Sequence, residues 1–271
     1  MRALMAQVQR LEARWAAPTL PPLPADALGL AAAAGFAELD DWQRRVLTGD
    51  WTRLLVNACR QSGKSSILAL LALDVALRTP RGLVLVLSPG ERQSSEFLVK
   101  VRDSYHALGA GGLVNAPDAE GALHLTLPNQ ARVLALPGGE RGIRGFSAPR
   151  LVVLDEGARI EDRLFHAVSP MLAVAGPSAR LALLSTPYGR RGVFHQLWTA
   201  GGPEWERIEL WARDCPRIPP AFLEAERRTL PRRIYRQEYE CSFEDVDDTV
   251  FRFDDVAAAV TSACTPLWAT A

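Results

Sequence analysis

Apolar residues in this sequence fall into short continuous runs that polar or glycine-rich loops separate. The clearest runs lie at 54–56, 83–87, 151–154 and 181–184. Continuous apolar runs of this length predict strands that are buried on both faces, as in a parallel sheet. Segments of helical composition alternate with them, so the pattern predicts an α/β fold: a mostly parallel central sheet, flanked by helices and joined by right-handed crossovers.

Three further segments have a recognisable periodicity. Residues 122–127 and 131–136 alternate between apolar and polar positions around a Pro-Asn-Gln turn, which predicts a hairpin-like pair of strands. Residues 206–212 alternate in the same way and predict a strand at the edge of the sheet. Residues 220–239 are charged and helical in pattern, and Pro231 predicts a break between two helices.

Composition divides the chain into three parts. A proline-rich stretch before residue 25 predicts that residues 1–38 form an N-terminal arm at the periphery. Residues 39–212 carry the alternating strands and helices and predict the core domain. Prolines and then arginine-rich helical segments follow, which predicts a small helical lid or linker subdomain over 213–271.

The overall composition indicates a folded chain without a general preference for nucleic acid. Hydrophobic residues make up 48% of the 271 positions, which is enough for a sizeable core. The formal net charge is zero, so any contact with DNA must come from a local patch. Lys64 and Lys100 are the only lysines, and arginine supplies nearly all the positive charge. The rare choice of lysine at position 64 favours a specific role there.

Cysteine spacing, histidine spacing and hydropathy exclude several other classes. The four cysteines and four histidines are scattered without a Cys-x-x-Cys pair, which argues against a zinc site and a disulfide framework. Charged residues interrupt the N-terminus before an apolar stretch forms, so it does not resemble a signal peptide. No apolar run is long enough to span a bilayer. We therefore expect a cytoplasmic protein with no membrane partner.

One polar loop between an apolar strand and an apolar helix has the chemistry of a phosphate-binding P-loop. Its backbone N–H groups and the N-terminus of the helix would face an anion. The loop and the first helical residues are Ala58, Cys59, Arg60, Gln61, Ser62, Gly63, Lys64, Ser65 and Ser66. Lys64 is placed to reach the β- and γ-phosphates of a nucleotide, and the Ser65 hydroxyl is placed to bind Mg²⁺. However, Ala58 replaces the usual first glycine, and Gly-Lys-Ser alone also occurs by chance in turns.

The apolar run 151–154 ends in Asp155-Glu156, which is a Walker B pattern. Such a strand places its acidic residues at the C-terminal edge of the sheet, where open α/β sheets bind ligands. Asp155 would hold Mg²⁺ directly or through water, and Glu156 would orient and activate the attacking water. The alternative is an acidic cap on the helix that follows.

Two other polar features carry two interpretations each. Ser185 and Thr186 follow the run 181–184, where small hydroxyls can sense a γ-phosphate; alternatively they only begin a turn. Gln43 lies just before the P-loop strand and beside Trp42, the place from which a glutamine reads the adenine edge in several P-loop motors. The alternative is a surface glutamine beside a packing tryptophan.

Basic residues on the predicted helix 91–108 and near Arg232 are candidate DNA contacts. Those on the first helix are Arg92, Lys100 and Arg102. A solvated helix face is the simpler interpretation for most of them.

In this order, the motifs resemble the ATPase domain of the large terminase subunit of tailed double-stranded DNA viruses. They comprise Trp42-Gln43, the P-loop with Arg60-Gln61 before Gly63-Lys64-Ser65, Arg144-Gly145, Asp155-Glu156 and Ser185-Thr186. Large terminases commonly have such an Arg-Gln P-loop with the first glycine replaced, so Ala58 fits this family. The resemblance covers about residues 39–260 and implies an α/β P-loop NTPase fold of the ASCE type.

The resemblance also implies a substrate, a cofactor and roles for individual residues. ATP would be hydrolysed with Mg²⁺, and Gln43 would read the adenine. Arg60 matches a P-loop arginine proposed to act in cis, and Arg144 matches an arginine used as a finger in trans. Ser185 and Thr186 match the motif that couples hydrolysis to movement.

The partners that the resemblance implies are those of a packaging motor. They are double-stranded DNA, the portal protein, the small terminase subunit and further copies of the chain in a pentameric ring. The expected location is the host cytoplasm, docked on the procapsid. Full-length large terminases also carry a C-terminal RNase H-like nuclease domain. This sequence leaves no room for one after the linker-like segment, so we expect ATPase activity without nuclease activity.

Two other functions are compatible with the same motifs. A helicase-like DNA-remodelling ATPase would be supported by a second RecA-like domain. A catalytically silent nucleotide-binding assembly module would be supported by the absence of any nucleotide-dependent thermal shift.

Overall fold

A computed structural model describes residues 20–138, 143, 145–245, 255 and 258–260 of the chain. The helices are α1 (Ala27–Ala33), α2 (Asp41–Thr48), α3 (Lys64–Arg78), α4 (Glu91–Ala110), α5 (Asp162–Val174), α6 (Gly192–Ala200), α7 (Pro220–Thr229) and α8 (Arg232–Tyr239). The strands are β1 (Arg53–Ala58), β2 (Leu83–Ser88), β3 (Ala119–Glu120), β4 (His124–Thr126), β5 (Arg132–Pro137), β6 (Leu151–Asp155), β7 (Arg180–Ser185) and β8 (Trp205–Leu210). Short 3₁₀ turns lie at Gly157–Arg159 and Ala212–Asp214.

The strands form one eight-stranded sheet in the order β3-β4-β5-β2-β6-β7-β1-β8. All neighbours from β5 to β8 are parallel, which confirms the predicted parallel α/β architecture. β4 pairs with β5 in antiparallel register, which confirms the hairpin-like pair, and β8 lies at the edge, as predicted. One strand, β7, lies between β1 and β6, so the loops after these three strands meet at one edge of the sheet.

Side chains of the central strands alternate between two apolar layers, because successive residues of a strand face opposite sides of the sheet. Leu54 and Val56 of β1 belong to one core cluster, whereas Leu55 belongs to the other. The first cluster packs under α1 to α4 and the second under α5 and α6. This burial on both faces explains the continuous apolar runs. It also holds in place the strands β1, β6 and β7, whose C-terminal ends carry the polar residues of the predicted site.

The segments on either side of the predicted core contact it directly. Within the predicted arm, α1 buries Leu30 and Ala31 in the first core cluster. On the C-terminal side, α7 and α8 are separated at Pro231, as predicted. A third apolar cluster joins this part to Cys59 of the P-loop segment. The division into domains stays a prediction, and residues 1–19 of the predicted arm lie outside the described residues, as do most of residues 246–271 of the predicted lid or linker.

In the described part of the chain, no helix is both long enough and apolar enough to cross a membrane.

Candidate active site

The predicted P-loop connects β1 to α3 and has left-handed backbone conformations at two positions. Gln61 has φ 60° and Gly63 has φ 83°. Ala58 is instead the last residue of β1, with an extended backbone and a fully buried side chain. Glycine is therefore favoured by conformation at position 63 and not at position 58, which explains why alanine is tolerated where the motif usually has its first glycine.

The loop leaves a run of backbone donors without intramolecular acceptors. Cys59 donates its N–H to Leu210 and Arg60 donates its N–H to the carbonyl of Glu238. Among the described residues, no backbone carbonyl accepts a hydrogen bond from the N–H groups of residues 61–65. Successive free N–H groups at the start of a helix form an anion-binding site, because the helix dipole adds to their partial charges.

Lys64 is buried at the start of α3 and bridges the loop to the end of β7. Its Nζ donates to Thr186 Oγ1 at 3.1 Å and to the Cys59 carbonyl at 3.5 Å. Thr186 Oγ1 in turn donates to the Ala58 carbonyl at 3.1 Å. Thr186 therefore joins Lys64 to the P-loop strand, whereas Ser185 Oγ donates to the adjacent Thr186 carbonyl at 2.7 Å. Thr186 thus contacts Lys64 and the P-loop strand, and Ser185 contacts its neighbour; the predicted coupling role of both stays a prediction.

The hydroxyl of Ser65 faces the carboxylate of Asp155. Ser65 Oγ lies 3.2 Å from each carboxylate oxygen, although the two residues are 90 positions apart in sequence. Burial, followed by the charge of Glu156, raises the pKa of Asp155 to about 6, while Lys64, Lys100 and the Ser65 hydroxyl lower it. A hydroxyl and a carboxylate with oxygens turned towards each other are the ligand types that Mg²⁺ prefers. These residues fit a magnesium site.

Glu156 follows Asp155 in a left-handed conformation with φ 56°. Its N–H donates to Asp155 Oδ1 at 3.1 Å, and its carboxylate lies 3.8 Å from Arg159 Nε. A non-glycine residue in this region costs about 1–3 kcal/mol, and such strain concentrates at functional sites. A 3₁₀ turn separates Glu156 from the helix that follows, α5, which begins only at Asp162.

The P-loop segment and Glu156 line one cleft of about 500 Å³. Its lining consists of Arg60, Gln61, Ser62, Gly63, Lys64, Ser65, Ser66, Lys100 and Glu156. The P-loop and the Walker B carboxylates, far apart in sequence, thus meet at one edge of the sheet. Lys100, which the sequence placed among candidate DNA contacts, also lies in this cleft.

Gln43 lies beside the P-loop and is buried. Its Oε1 accepts the N–H of Asp40 at 3.0 Å, which caps α2 and fixes the amide. A Cβ built on Gly63 would lie 3.5 Å from Gln43 Nε2, so the amide NH₂ group borders the loop. The structure therefore brings Gln43 to the P-loop; its predicted adenine contact stays a prediction.

Arg217 is a neighbour of the P-loop that sequence reasoning missed. Its Nη2 donates to the Ser62 carbonyl at 2.8 Å and to Asp40 Oδ2 at 2.6 Å. It thus ties the loop to the N-terminus of α2 and to the connector before α7. No local pattern marks this arginine, because both of these partners lie more than 150 residues away.

The two candidate catalytic arginines have different positions in the structure. Arg60 Nε lies 3.1 Å from Glu238 Oε2 of α8, and the arginine side chain is 67% exposed. This ion pair holds Arg60 against the C-terminal helices. Arg144 lies outside the described residues.

Three free cysteines pack behind the loop. Cys59, Cys215 and Cys241 are buried in the third apolar cluster. Burial, and then the neighbouring Cys215, raise the pKa of Cys59 to about 11, so this thiol stays protonated at neutral pH. The cysteines therefore act as apolar packing between the P-loop and the segment that follows β8.

The fold is that of the α/β P-loop NTPases. The structure is similar to the ATPase domain of the large terminase of Thermus phage P74-26, in a mutant form, with a TM-score of 0.68 at 18% identity over 79% of this chain and 97% of that one. It is also similar to the large terminase of another thermophilic bacteriophage in complex with ADP, with a TM-score of 0.62 at 11% identity over 76% of this chain and 54% of that one. The chain therefore has the fold of a large-terminase ATPase domain, as the motifs predicted.

A more remote similarity lies outside the terminases. A chain of the S. cerevisiae Dbp5 complex with Nup159, Gle1, IP6 and ADP has a TM-score of 0.50 at 17% identity, over 70% of this chain and 52% of that one. No protein-family model matches the sequence, and no curated protein matches it.

Proposed function

We propose that this chain is the ATP-hydrolysing motor domain of a viral DNA-packaging terminase, which couples ATP hydrolysis to translocation of double-stranded DNA into a procapsid. The observation that carries the proposal is the hydrogen bond between Ser65 and Asp155 beside Lys64 and Glu156. It unites the phosphate-binding and water-activating groups that an ATPase needs in one cleft. The similarity of the fold to terminase ATPase domains supports this kind of motor.

In this proposal the P-loop binds the phosphates of ATP. The free N–H groups of residues 61–65 and the ammonium of Lys64 surround the β- and γ-phosphates. Lys64 would exchange its present contacts with Thr186 and the Cys59 carbonyl for phosphate oxygens. Gln43, whose NH₂ group borders Gly63, is the proposed reader of the adenine edge.

The metal ligands would be Ser65 and Asp155. Mg²⁺ bound there supplies positive charge to the phosphate oxygens during transfer. The ionised form of Asp155 is the form that binds a cation, so metal binding favours deprotonation of a carboxylate whose pKa burial has raised to about 6.

Glu156 is the proposed general base. Its carboxylate orients a water molecule and accepts a proton as the water oxygen bonds to the γ-phosphorus. The bond between that phosphorus and the β–γ bridging oxygen breaks, which leaves ADP and phosphate. The left-handed backbone of Glu156 is held by its N–H bond to Asp155, so the two carboxylates are positioned together.

Coupling and assembly belong to the same proposal. Thr186, with Ser185 beside it, would transmit the state of the γ-phosphate, because Thr186 contacts both Lys64 and the P-loop strand. Arg144 would enter the site of the next subunit in a ring of five, or Arg60 would act within its own subunit. Double-stranded DNA, the portal protein and the small terminase subunit are the proposed partners, in the host cytoplasm with the ring docked on the procapsid.

Lys64→Ala is expected to weaken ATP binding by about tenfold to 150-fold. The change removes a charge-assisted contact to phosphate, which contributes about 1.5–3 kcal/mol. Binding of ATP with Mg²⁺, measured by calorimetry, checks this result. Arg163→Ala is the matched control, because Arg163 is an exposed cation on α5 outside the cleft. An affinity equal to that of the wild type would show that ATP does not bind at the P-loop.

Arg217→Met is expected to raise the KM for ATP while changing kcat little. The arginine supports the Ser62 carbonyl and contacts Asp40, but its side chain is 44% exposed, so we expect only a roughly three- to tenfold effect. Arg213→Met is the matched control, because Arg213 stacks on Trp211 nearby. An unchanged KM in steady-state kinetics would exclude a role for Arg217 in shaping the loop.

A further inference from the structure

Lys100 lies in the candidate active site although it belongs to none of its motifs. Among the described residues that line the cleft, it is the contribution of α4, whereas the others come from the P-loop segment and from Glu156. Its neighbours Phe97 and Val101 are buried in the core, which fixes the side of α4 on which Lys100 emerges. The position is therefore held by the packing of the helix.

The composition gives Lys100 further weight. The sequence contains 31 lysines and arginines together, yet its only lysines are Lys64 and Lys100, and both line the same cleft. A lysine ammonium is a compact charge with three rotatable donors and differs in this from a guanidinium. Because the chain otherwise uses arginine, the presence of both lysines in one cleft indicates that the ligand of this cleft requires a lysine at each position.

The ammonium of Lys100 is available to a ligand. In the part of the chain that the structure describes, it has no hydrogen-bond acceptor and no ion-pair partner, while Lys64 donates to two oxygens and Arg60 pairs with Glu238. Lys100 shares the lining of the cleft with Ser65 and Glu156, the residues proposed to bind Mg²⁺ and to activate water. A γ-phosphate bound beside Lys64, Ser65 and Glu156 would therefore lie in the cleft that Lys100 also lines.

We infer that Lys100 donates hydrogen bonds to the γ-phosphate of ATP bound in the same subunit. This inference rests on the proposed function and adds to it a second cation from α4. The cleft lining then holds two lysines beside the carboxylate of Glu156. Lys64 would serve both ADP and ATP, whereas Lys100 would distinguish ATP from ADP.

The test compares the affinity of the full chain for ATPγS and for ADP, each with Mg²⁺, in the wild type and in Lys100→Met. We expect the dissociation constant for ATPγS to rise about tenfold or more, as for the loss of one charge-assisted hydrogen bond. The constant for ADP and the melting temperature should stay close to wild type. Lys100→Arg should retain much of the preference for ATPγS, because it keeps the charge.

Arg92→Met is the matched control, since Arg92 is an exposed cation on the same helix outside the cleft. It should leave both affinities unchanged, which separates a local contact from a general effect of charge. Lys100→Gln replaces the methionine variant if the latter does not fold. If the variant at Lys100 keeps the wild-type ratio of the two affinities, or loses affinity for both nucleotides equally, the inference is wrong but the proposed function stands. A wild-type chain that binds neither nucleotide overturns the proposed function and the inference with it.

Discussion

Glu156→Gln is expected to reduce kcat for ATP hydrolysis by about 10²–10⁴-fold, the usual contribution of a general base, while ATP still binds. Glutamine has nearly the same shape and can keep the N–H bond to Asp155, but it cannot accept the proton of the attacking water. It also removes the negative charge that helps raise the pKa of Asp155, so metal binding should not weaken. Phosphate release under single-turnover conditions measures the chemical step directly.

The control for this variant is Glu161→Gln. Glu161 lies after the same turn, is 61% exposed and pairs with Arg163, so it carries a similar charge outside the cleft. It should hydrolyse ATP at the wild-type rate. If Glu156→Gln also hydrolyses ATP normally, Glu156 is not the base and the catalytic assignment is wrong. If neither the wild type nor the variants hydrolyse the ATP that they bind, the silent assembly module becomes the better account.

Arg144→Ala is expected to lower kcat by about 10³–10⁵-fold with retained nucleotide binding, as for the loss of an arginine finger. A guanidinium supplies positive charge where negative charge develops, and it does so in a site from which water is excluded. Since the finger would come from a neighbouring subunit, the specific activity of the wild type should rise steeply with protein concentration. A flat specific activity would favour Arg60, acting in cis after it leaves Glu238.

Mixing variants separates the two arginines further. Arg144→Ala subunits keep Glu156, and Glu156→Gln subunits keep Arg144, so a mixture should recover activity wherever an intact base meets an intact finger. Arg60→Ala should show no such recovery if Arg60 acts in cis. Loss of nucleotide binding in Arg144→Ala would instead point to a structural role for this arginine.

The parts of the fold that the sequence predicts are those with a local physical signature. Buried parallel strands need apolar residues at every position, so the runs that became β1, β2, β6 and β7 are visible without a structure. The same holds for the break at Pro231, which follows from the missing N–H and fixed φ of proline. The motifs at the ends of β1 and β6 are also local, and parallel topology brings them together.

The contacts that complete the candidate site have no local signature. Arg217 reaches Ser62 and Arg60 reaches Glu238 only after the C-terminal helices pack beside the loop. The place of Lys100 depends on the packing of α4 against the sheet, which the periodicity of the helix does not specify. The only feature of the sequence that marks Lys100 is the rarity of lysine. The helical pattern around it favours a solvated face instead.

Ala58 shows a third limit of prediction from sequence motifs. A motif records which residue is common at a position but not the backbone conformation that the position requires. In this structure the left-handed conformations fall at Gln61 and Gly63, while Ala58 continues β1. Alanine at this point is therefore compatible with a functional P-loop.

The central claim is that this cleft binds and hydrolyses ATP. The most direct measurement is steady-state release of phosphate from ATP by the purified chain, with and without Mg²⁺, over a wide range of protein concentration. We predict Mg²⁺-dependent release of phosphate. Its rate per subunit should rise with protein concentration, and the release should be lost in Lys64→Ala. Absence of release at every concentration, or equal release by Lys64→Ala, would contradict the account.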